Sequence, residues 1–392
     1  MVFWVMVAWV LAVGFFLRDS LTTRRVCDDG AIEYSSTALY SFLLFLLPVI
    51  LIGLRSDFVD TASYIKSFET APLSMAKLEE FADIRDHSKL YYGFQVIFKI
   101  YFINNAQVWI ALIAVLQSVL VMRTLRKYSC NLMLSSYFLV TSCMVAQWMC
   151  NGMRQFIAVA VLFACTRWLL ENKWYFYLPL AVLLMGLTPI TKRLGIEAVP
   201  WYLDGIHQSV LIMILAYFFV PGKAFNKRVW ILAAIFAVLI VTGGIDAVLD
   251  TSVENTTYVK DMEYVEADTG TNWFRVAFNA IPMVLALIVR KEFDKEETPQ
   301  IIHLSVNASV ITTVLYVASA FTSGMFVGRL PIYTEIYSLI LIPWLLCHPY
   351  KKYQKLMTAG VMILYAAFMF YQINVMWKNV KFASEVLGIN VE

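Results

Sequence analysis

Charge is scarce in this 392-residue chain: Asp, Glu, Lys and Arg make up 15% of it, against a hydrophobic share of 60%. A soluble domain carries about 25% charged residues, so a water-facing surface of ordinary size is excluded and lipid is the expected solvent. Long blocks of one sign are also missing and the net charge is only +3, which gives no ground for a nucleic-acid partner. The six cysteines are scattered and form no CxxC pair, so neither a disulfide framework nor a metal-binding cysteine pattern is present. No metal and no cofactor are expected. The chain has no glycine-rich phosphate loop, no DxD pair for a metal-bound nucleotide sugar and no GxSxG elbow. A cytosolic nucleotide-sugar enzyme therefore has no support.

Apolar length is what the chain does have. A helix needs about 20 mostly apolar residues to cross a bilayer, and twelve stretches reach or approach that: 1–17, 36–54, 106–122, 132–149, 153–170, 174–187, 206–220, 229–248, 273–289, 303–322, 330–346 and 355–373. The expected fold class is an all-α integral membrane protein of about twelve transmembrane helices, with residues 1–392 forming a single polytopic membrane domain. The stretch YYGFQVIFKIYF carries Gln95 and Lys99 and is read as an interfacial helix near 91–103.

Alternate loops are rich in basic residues: Arg18, Arg24 and Arg25; Arg123, Arg126 and Lys127; Arg167 and Lys173; Lys223, Lys227 and Arg228; Arg290, Lys291 and Lys295; Lys351, Lys352 and Lys355. The positive-inside rule puts these loops in the cytoplasm and both termini outside. The N-terminal run has no basic residues before it and is followed by Arg18, which reads as a retained span rather than a cleaved leader. The larger outer-side segments are 55–90, 188–205 and the acidic 249–272.

With that sidedness, Arg55, Arg154, Arg275 and Arg329 each fall at the outer end of a span, the side that the rule depletes of arginine. Singly, each is readily explained as a side chain reaching for lipid headgroups. Together with His207 they suggest a shared outer site, because ionisable residues beside spans tend to mark substrate paths. Guanidinium stays charged and grips phosphate or carboxylate oxygens with a planar fork, so the set suits a diphosphate. Asp57 and Asp60 either offset Arg55, serve as a base near a sugar hydroxyl, or make ordinary turns at a helix exit. His207 is a base, a hydrogen-bond donor or a structural residue; His87 and His348 read as loop residues.

These residues resemble the EpsG-type, Wzy-like polysaccharide polymerases of bacterial envelopes. The likeness rests on Arg55, Asp60 and Tyr64 in GLRSDFVDTASYI; on Gly93 and Phe94 in LYYGFQVIFKI; on Arg154 and Gln155 in NGMRQFIAVAVLF; on His207, Gln208 and Ser209 in IHQSVLIM; and on Arg329 and Tyr333 in VGRLPIYTEIY. It departs from the family in lacking a glycine shortly before Asp60 and in the inserted 188–205 segment. The resemblance implies metal-independent glycosyl transfer between polyprenyl-diphosphate-linked oligosaccharides at the outer face of the bacterial cytoplasmic membrane. It implies His207, Asp60, Arg154 and Arg329 as catalytic residues, and Arg55, Tyr64, Gln155, Gln208, Arg275 and Tyr333 as substrate-binding. Implied partners are the lipid-linked substrates, membrane lipid, a flippase and a chain-length regulator. The competing readings are a secondary transporter of an anionic solute, which would favour midplane charges and internal repeats, and a lipid-linked glycan ligase.

Overall fold

The computed structural model describes residues 1–83, 88–188, 191, 200–242, 270–324 and 326–391. His87, most of the acidic segment 249–272, much of 188–205 and the end of the expected span 229–248 lie outside them. Among the described residues the chain is mainly helical, yet twelve continuous spans are not found. Ala106–Tyr128, Gln300–Ala320 and Lys351–Met376 are long and apolar enough to cross a membrane. Two bent pairs, Leu132–Thr141 with Val145–Asn151 (76°) and Val327–Glu335 with Ser338–Cys347 (49°), raise the number to five if each pair is one span.

The other apolar runs are helical but short. Val2–Phe16, Ala38–Gly53, Met153–Ala164, Trp174–Met185 and Trp273–Ile288 have 12 to 16 residues. At about 1.5 Å per residue, 16 residues cover about 24 Å of a hydrocarbon layer about 30 Å thick. Pro48, Pro179, Pro282 and Pro343 sit inside helices, where each removes a backbone donor. The run 206–220 yields only the turn Gln208–Val210 and the helix Leu211–Ala216. The expected interfacial stretch is a helix, Lys89–Tyr101, with Gln95 and Lys99 buried.

The chain also departs from an all-α expectation in having two small hairpins. Strand β1 (Thr22–Val26) pairs antiparallel with β2 (Ile32–Ser36), and β3 (Phe382–Ser384) with β4 (Ile389–Val391). The first hairpin turns through Cys27–Asp28–Asp29–Gly30, where Gly30 takes φ +79°, a conformation that glycine adopts without steric penalty. Asp29 Oδ1 accepts from the Ala31 N–H at 2.8 Å, closing the turn. The second hairpin holds the chain leaving Ala38–Gly53: Ser56 N–H and Asp57 N–H donate to the Ala383 carbonyl, and Ala383 N–H donates to Asp57.

Contacts group the chain into two compact units, Met1–Thr166 with Val182–Gln208 and Leu346–Glu392, and Arg167–Ala181 with Ser209–Leu345. In the first, Ala106–Tyr128 packs against Ala38–Gly53 and Met153–Ala164. The approach to Ala38–Gly53 is close at Gly53, where an added Cβ would stand 3.2 Å from the Ala111 backbone. Gln107 donates to the Gly53 carbonyl at 2.7 Å and Gln117 to that of Met153 at 2.9 Å, so polar side chains tie the ends of neighbouring helices. The helix Thr61–Glu69 lies against Lys89–Tyr101, and buried Lys99 donates to the carbonyls of Phe68, Glu69 and Ala71, capping its C-terminus. In the second unit, Gln300–Ala320 packs against Lys227–Val241 and Trp273–Ile288. Its buried Asn307 donates to the carbonyls of Val220 and Lys223.

Candidate active site

Arg55 follows Ala38–Gly53 and is fully enclosed. Its Nε donates to Thr61 Oγ1 at 2.9 Å, Nη1 to the Ile52 carbonyl, and Nη2 to the Cys150 carbonyl at 2.7 Å and to Met153 Sδ. Thr61 Oγ1 donates onward to the Phe58 carbonyl at 2.8 Å. One guanidinium thus joins the end of one helix, the start of the Thr61 helix and the break in a third segment. The break exists because Cys143 takes φ +66° and Val145–Asn151 winds as a π-helix, leaving carbonyls without the usual α-helical partner.

Arg154 is the second residue of Met153–Ala164, just past that break. Its Nη1 donates to Tyr92 Oη at 3.0 Å, its guanidinium lies 5.5 Å from the centroid of the Tyr92 ring, and it is hydrogen-bonded to Tyr64. Tyr64 meets Tyr91 edge-on at 6.4 Å, and Tyr91 meets Tyr92 at 5.4 Å. Tyr91 is fixed in turn by Trp109, whose Nε1 donates to its hydroxyl at 3.3 Å. Burial pushes the Tyr64 hydroxyl above its ordinary pKa against the pull of Arg154, so it remains a neutral donor. The Arg154 Nε is shut away from solvent and has no hydrogen-bond partner among the described residues. A buried donor without an acceptor is costly, and an anion at this helix N-terminus would supply one.

Asp60 is exposed at the N-terminus of Thr61–Glu69 and makes no side-chain cap bond there. It follows Val59, a β-branched residue at φ +48°, a conformation that persists only where the surroundings impose it. Gln155 is buried beside Arg154. His207 sits in a chain crossing: its N–H and that of Ile206 both donate to the Leu184 carbonyl, while Gly186 (φ +88°) and Gly205 (φ +71°) approach so closely that a Cβ on either would strike the other's backbone. Gln208 begins the turn that follows.

In the second unit, Arg275 Nη2 donates to Tyr316 Oη at 3.4 Å, and Tyr316 Oη donates to the buried Glu335 carboxylate at 2.7 Å. Tyr333 is buried with its hydroxyl 3.0 Å from Ser209 Oγ. Arg329 is exposed at the end of the Val327–Arg329 turn.

Residues 38–383 match the model of the EpsG family. This chain belongs to the EpsG family. No curated protein and no solved structure matches it. Membership points this EpsG family chain toward a membrane polysaccharide-polymerase-like role, with a lipid-linked oligosaccharide as the implied substrate.

Of the residues named from sequence, the structure brings Arg55, Tyr64 and Arg154 together: Arg55 bonds Thr61, on the helix that carries Tyr64, and Met153, the neighbour of Arg154. Sequence reasoning missed Tyr91 and Tyr92, although LYYGF was quoted for its glycine. That glycine also has a structural reason: a Cβ on Gly93 would fall 2.2 Å from the Trp201 ring. Glu335, the buried acid linked to Arg275 through Tyr316, was missed as well; an acid inside the apolar run PIYTEIY was the available signal.

Proposed function

We propose that this EpsG family protein joins polyprenyl-diphosphate-linked oligosaccharide repeat units into a capsular, exopolysaccharide or O-antigen chain. In this reading the transfer is metal-independent and takes place at the outer face of a bacterial cytoplasmic membrane, with both termini outside. An acceptor sugar hydroxyl attacks the anomeric carbon of the donor chain. The bond from that carbon to the diphosphate oxygen breaks, the polyprenyl diphosphate leaves with the electron pair, and a base takes the hydroxyl proton.

The observation that carries the reading is the buried, unpartnered Nε of Arg154, held among tyrosine hydroxyls at a helix N-terminus. Donors fixed in advance around a departing diphosphate stabilise its charge without reorganising in the transition state. Arg154 is assigned that work, with Tyr64 and Tyr92 orienting its fork. Arg55 is assigned positioning, because its donors are engaged by internal acceptors. Asp60, exposed beside Tyr64, is the base we favour; His207 is the alternative. Gln155 and Gln208 are assigned to hold the remaining substrate, with a flippase delivering it and a chain-length regulator acting on the product.

The test uses purified protein with a lipid-diphosphate-linked oligosaccharide. A ladder of products is expected from the native protein and none from Arg154→Ala that remains monodisperse. An undiminished ladder from that variant refutes the assignment. A single transferred product from the native protein makes the chain a ligase instead.

A further inference from the structure

One cluster of chemically capable side chains has no part in the polymerase reading. It lies where the first hairpin meets the chain after Cys347. Cys27 Sγ, a Glu33 carboxylate oxygen and a His348 ring nitrogen all lie within 4.8 Å of one another. Cys27 opens the hairpin turn. Glu33 lies on β2 opposite Arg25, two residues before Cys27, so the pleat places Glu33 and Cys27 on one face. His348 reaches them from residues distant in sequence, its Nε2 at 3.1 Å from Glu33 Oε1 and its Nδ1 at 2.9 Å from Asp29 Oδ2.

We infer that Cys27, Glu33 and His348 form a binding site for a divalent transition-metal ion of the zinc class, with Asp29 orienting the histidine. Thiolate, imidazole and carboxylate together are the donors a borderline-soft ion takes, and neither Mg²⁺ nor Ca²⁺ favours sulfur or nitrogen. At metal–ligand bonds of about 2.0–2.3 Å, ligand atoms around a tetrahedral ion stand roughly 3.3–3.8 Å apart. Glu33 Oε1 and His348 Nε2 stand 3.1 Å apart, and all three atoms lie within 4.8 Å of one another. A carboxylate on the far nitrogen of a metal-bound histidine fixes its tautomer and ring plane, and Asp29 Oδ2 occupies that position.

The charge count closes as well. Without an ion, Glu33 accepts hydrogen bonds from both the Cys27 thiol and the His348 ring. A divalent cation displaces those two protons and meets a thiolate, a neutral imidazole and a carboxylate, whose charges sum to minus two. Asp29 keeps its own counter-charge, with Lys351 Nζ 3.7 Å from Oδ2. Three protein ligands leave a fourth position for water, and the ion would fasten the hairpin to the 346–350 segment.

The test is cobalt loading of the full-length protein in detergent, with Co²⁺ as the spectroscopic probe for a zinc-class site. One equivalent is expected to bind, giving a thiolate-to-cobalt charge-transfer band and visible bands of four-coordinate intensity. Cys27→Ser should abolish the charge-transfer band, His348→Gln and Asp29→Asn should weaken Co²⁺ binding at least tenfold, and Cys165→Ser should change nothing. Absence of the band in monodisperse native protein, or its survival in Cys27→Ser, overturns the proposal. Should Cys27→Ser not fold, alkylation of the native protein decides: Zn²⁺ should slow modification of Cys27 at least tenfold, read on its peptide by mass spectrometry, and unprotected modification is the negative result. The readout is metal binding, so it succeeds or fails independently of polymer synthesis.

Discussion

Arg55 and Arg154 share one sequence feature, an arginine at the expected outer end of a span, and their surroundings differ in what accepts from them. Arg55 is ringed by fixed internal acceptors: the carbonyls of Ile52 and Cys150, the Thr61 hydroxyl and the Met153 sulfur. Arg154 has tyrosine hydroxyls and rings around it, and one buried N–H still without an acceptor. Position relative to a span says that a guanidinium is unusual. The acceptors around it say whether it holds the protein together or is left to hold something else.

Breaking the Arg55 side of this comparison should have the largest effect. Arg55→Ala strands the Ile52 and Cys150 carbonyls and leaves a void. Removing one partner from a buried charged network costs about 3–5 kcal/mol, a large part of the stability of an ordinary domain. The expected outcome is loss of monodisperse protein on size exclusion, with Arg55→Lys little better, because one ammonium cannot span acceptors arranged for a planar fork.

Arg154→Ala is expected to do the reverse. Its melting temperature should stay near that of the native protein, while initial polymerisation falls by about 10²–10³, the range seen when one preorganised donor is removed from a site of developing charge. A variant that unfolds as Arg55→Ala does would erase the difference between the two arginines.

The second unit offers an intermediate case, in which Arg275 is answered through Tyr316 by the buried acid Glu335. Tyr316→Phe leaves that carboxylate without its donor, at an expected cost of about 1–3 kcal/mol. In a double-mutant cycle, Glu335→Gln should remove part of that cost, with a coupling of about 0.5–3 kcal/mol measured by thermal unfolding. Strict additivity would mean that Glu335 and Tyr316 do not act as one network.

Much of the helical character was legible because apolar runs and their loop charges are written plainly in the chain. The number of spans was not, since hydropathy registers an apolar run whether or not its helix is continuous. It is blind to the 76° bend after Thr141 and to prolines such as Pro179. The hairpin at Thr22–Ser36 carries a readable signal, Asp29-Gly30 between TTRRV and IEYSS, which its arginines disguised as an ordinary basic loop. Arg154 and Tyr64 were found from their motifs. Tyr92 and Glu335 were not, because their significance lies in contacts between residues far apart in sequence. The docking of Asp57 against Ala383 was illegible for the same reason: no local pattern at position 57 points to a strand more than three hundred residues away.

The smallest expected effect is also the sharpest test of the contrast. Tyr92→Phe keeps the ring beside the Arg154 guanidinium, 5.5 Å away at its centroid, and removes only the hydroxyl that accepts from Nη1. If the tyrosines serve to orient a fork whose main partner is the substrate, stability should change by no more than about 1 kcal/mol, the usual net worth of one hydrogen bond. The polymerisation rate should fall about tenfold, equivalent to about 1.4 kcal/mol in the barrier, because a misaligned fork weakens the contact made as the diphosphate departs. Melting curves and initial rates on the same preparation separate the two. A variant with native rate and lowered melting temperature would turn the tyrosine hydroxyl into a structural acceptor like the carbonyls around Arg55, and Arg154 would then need a different account of its buried Nε.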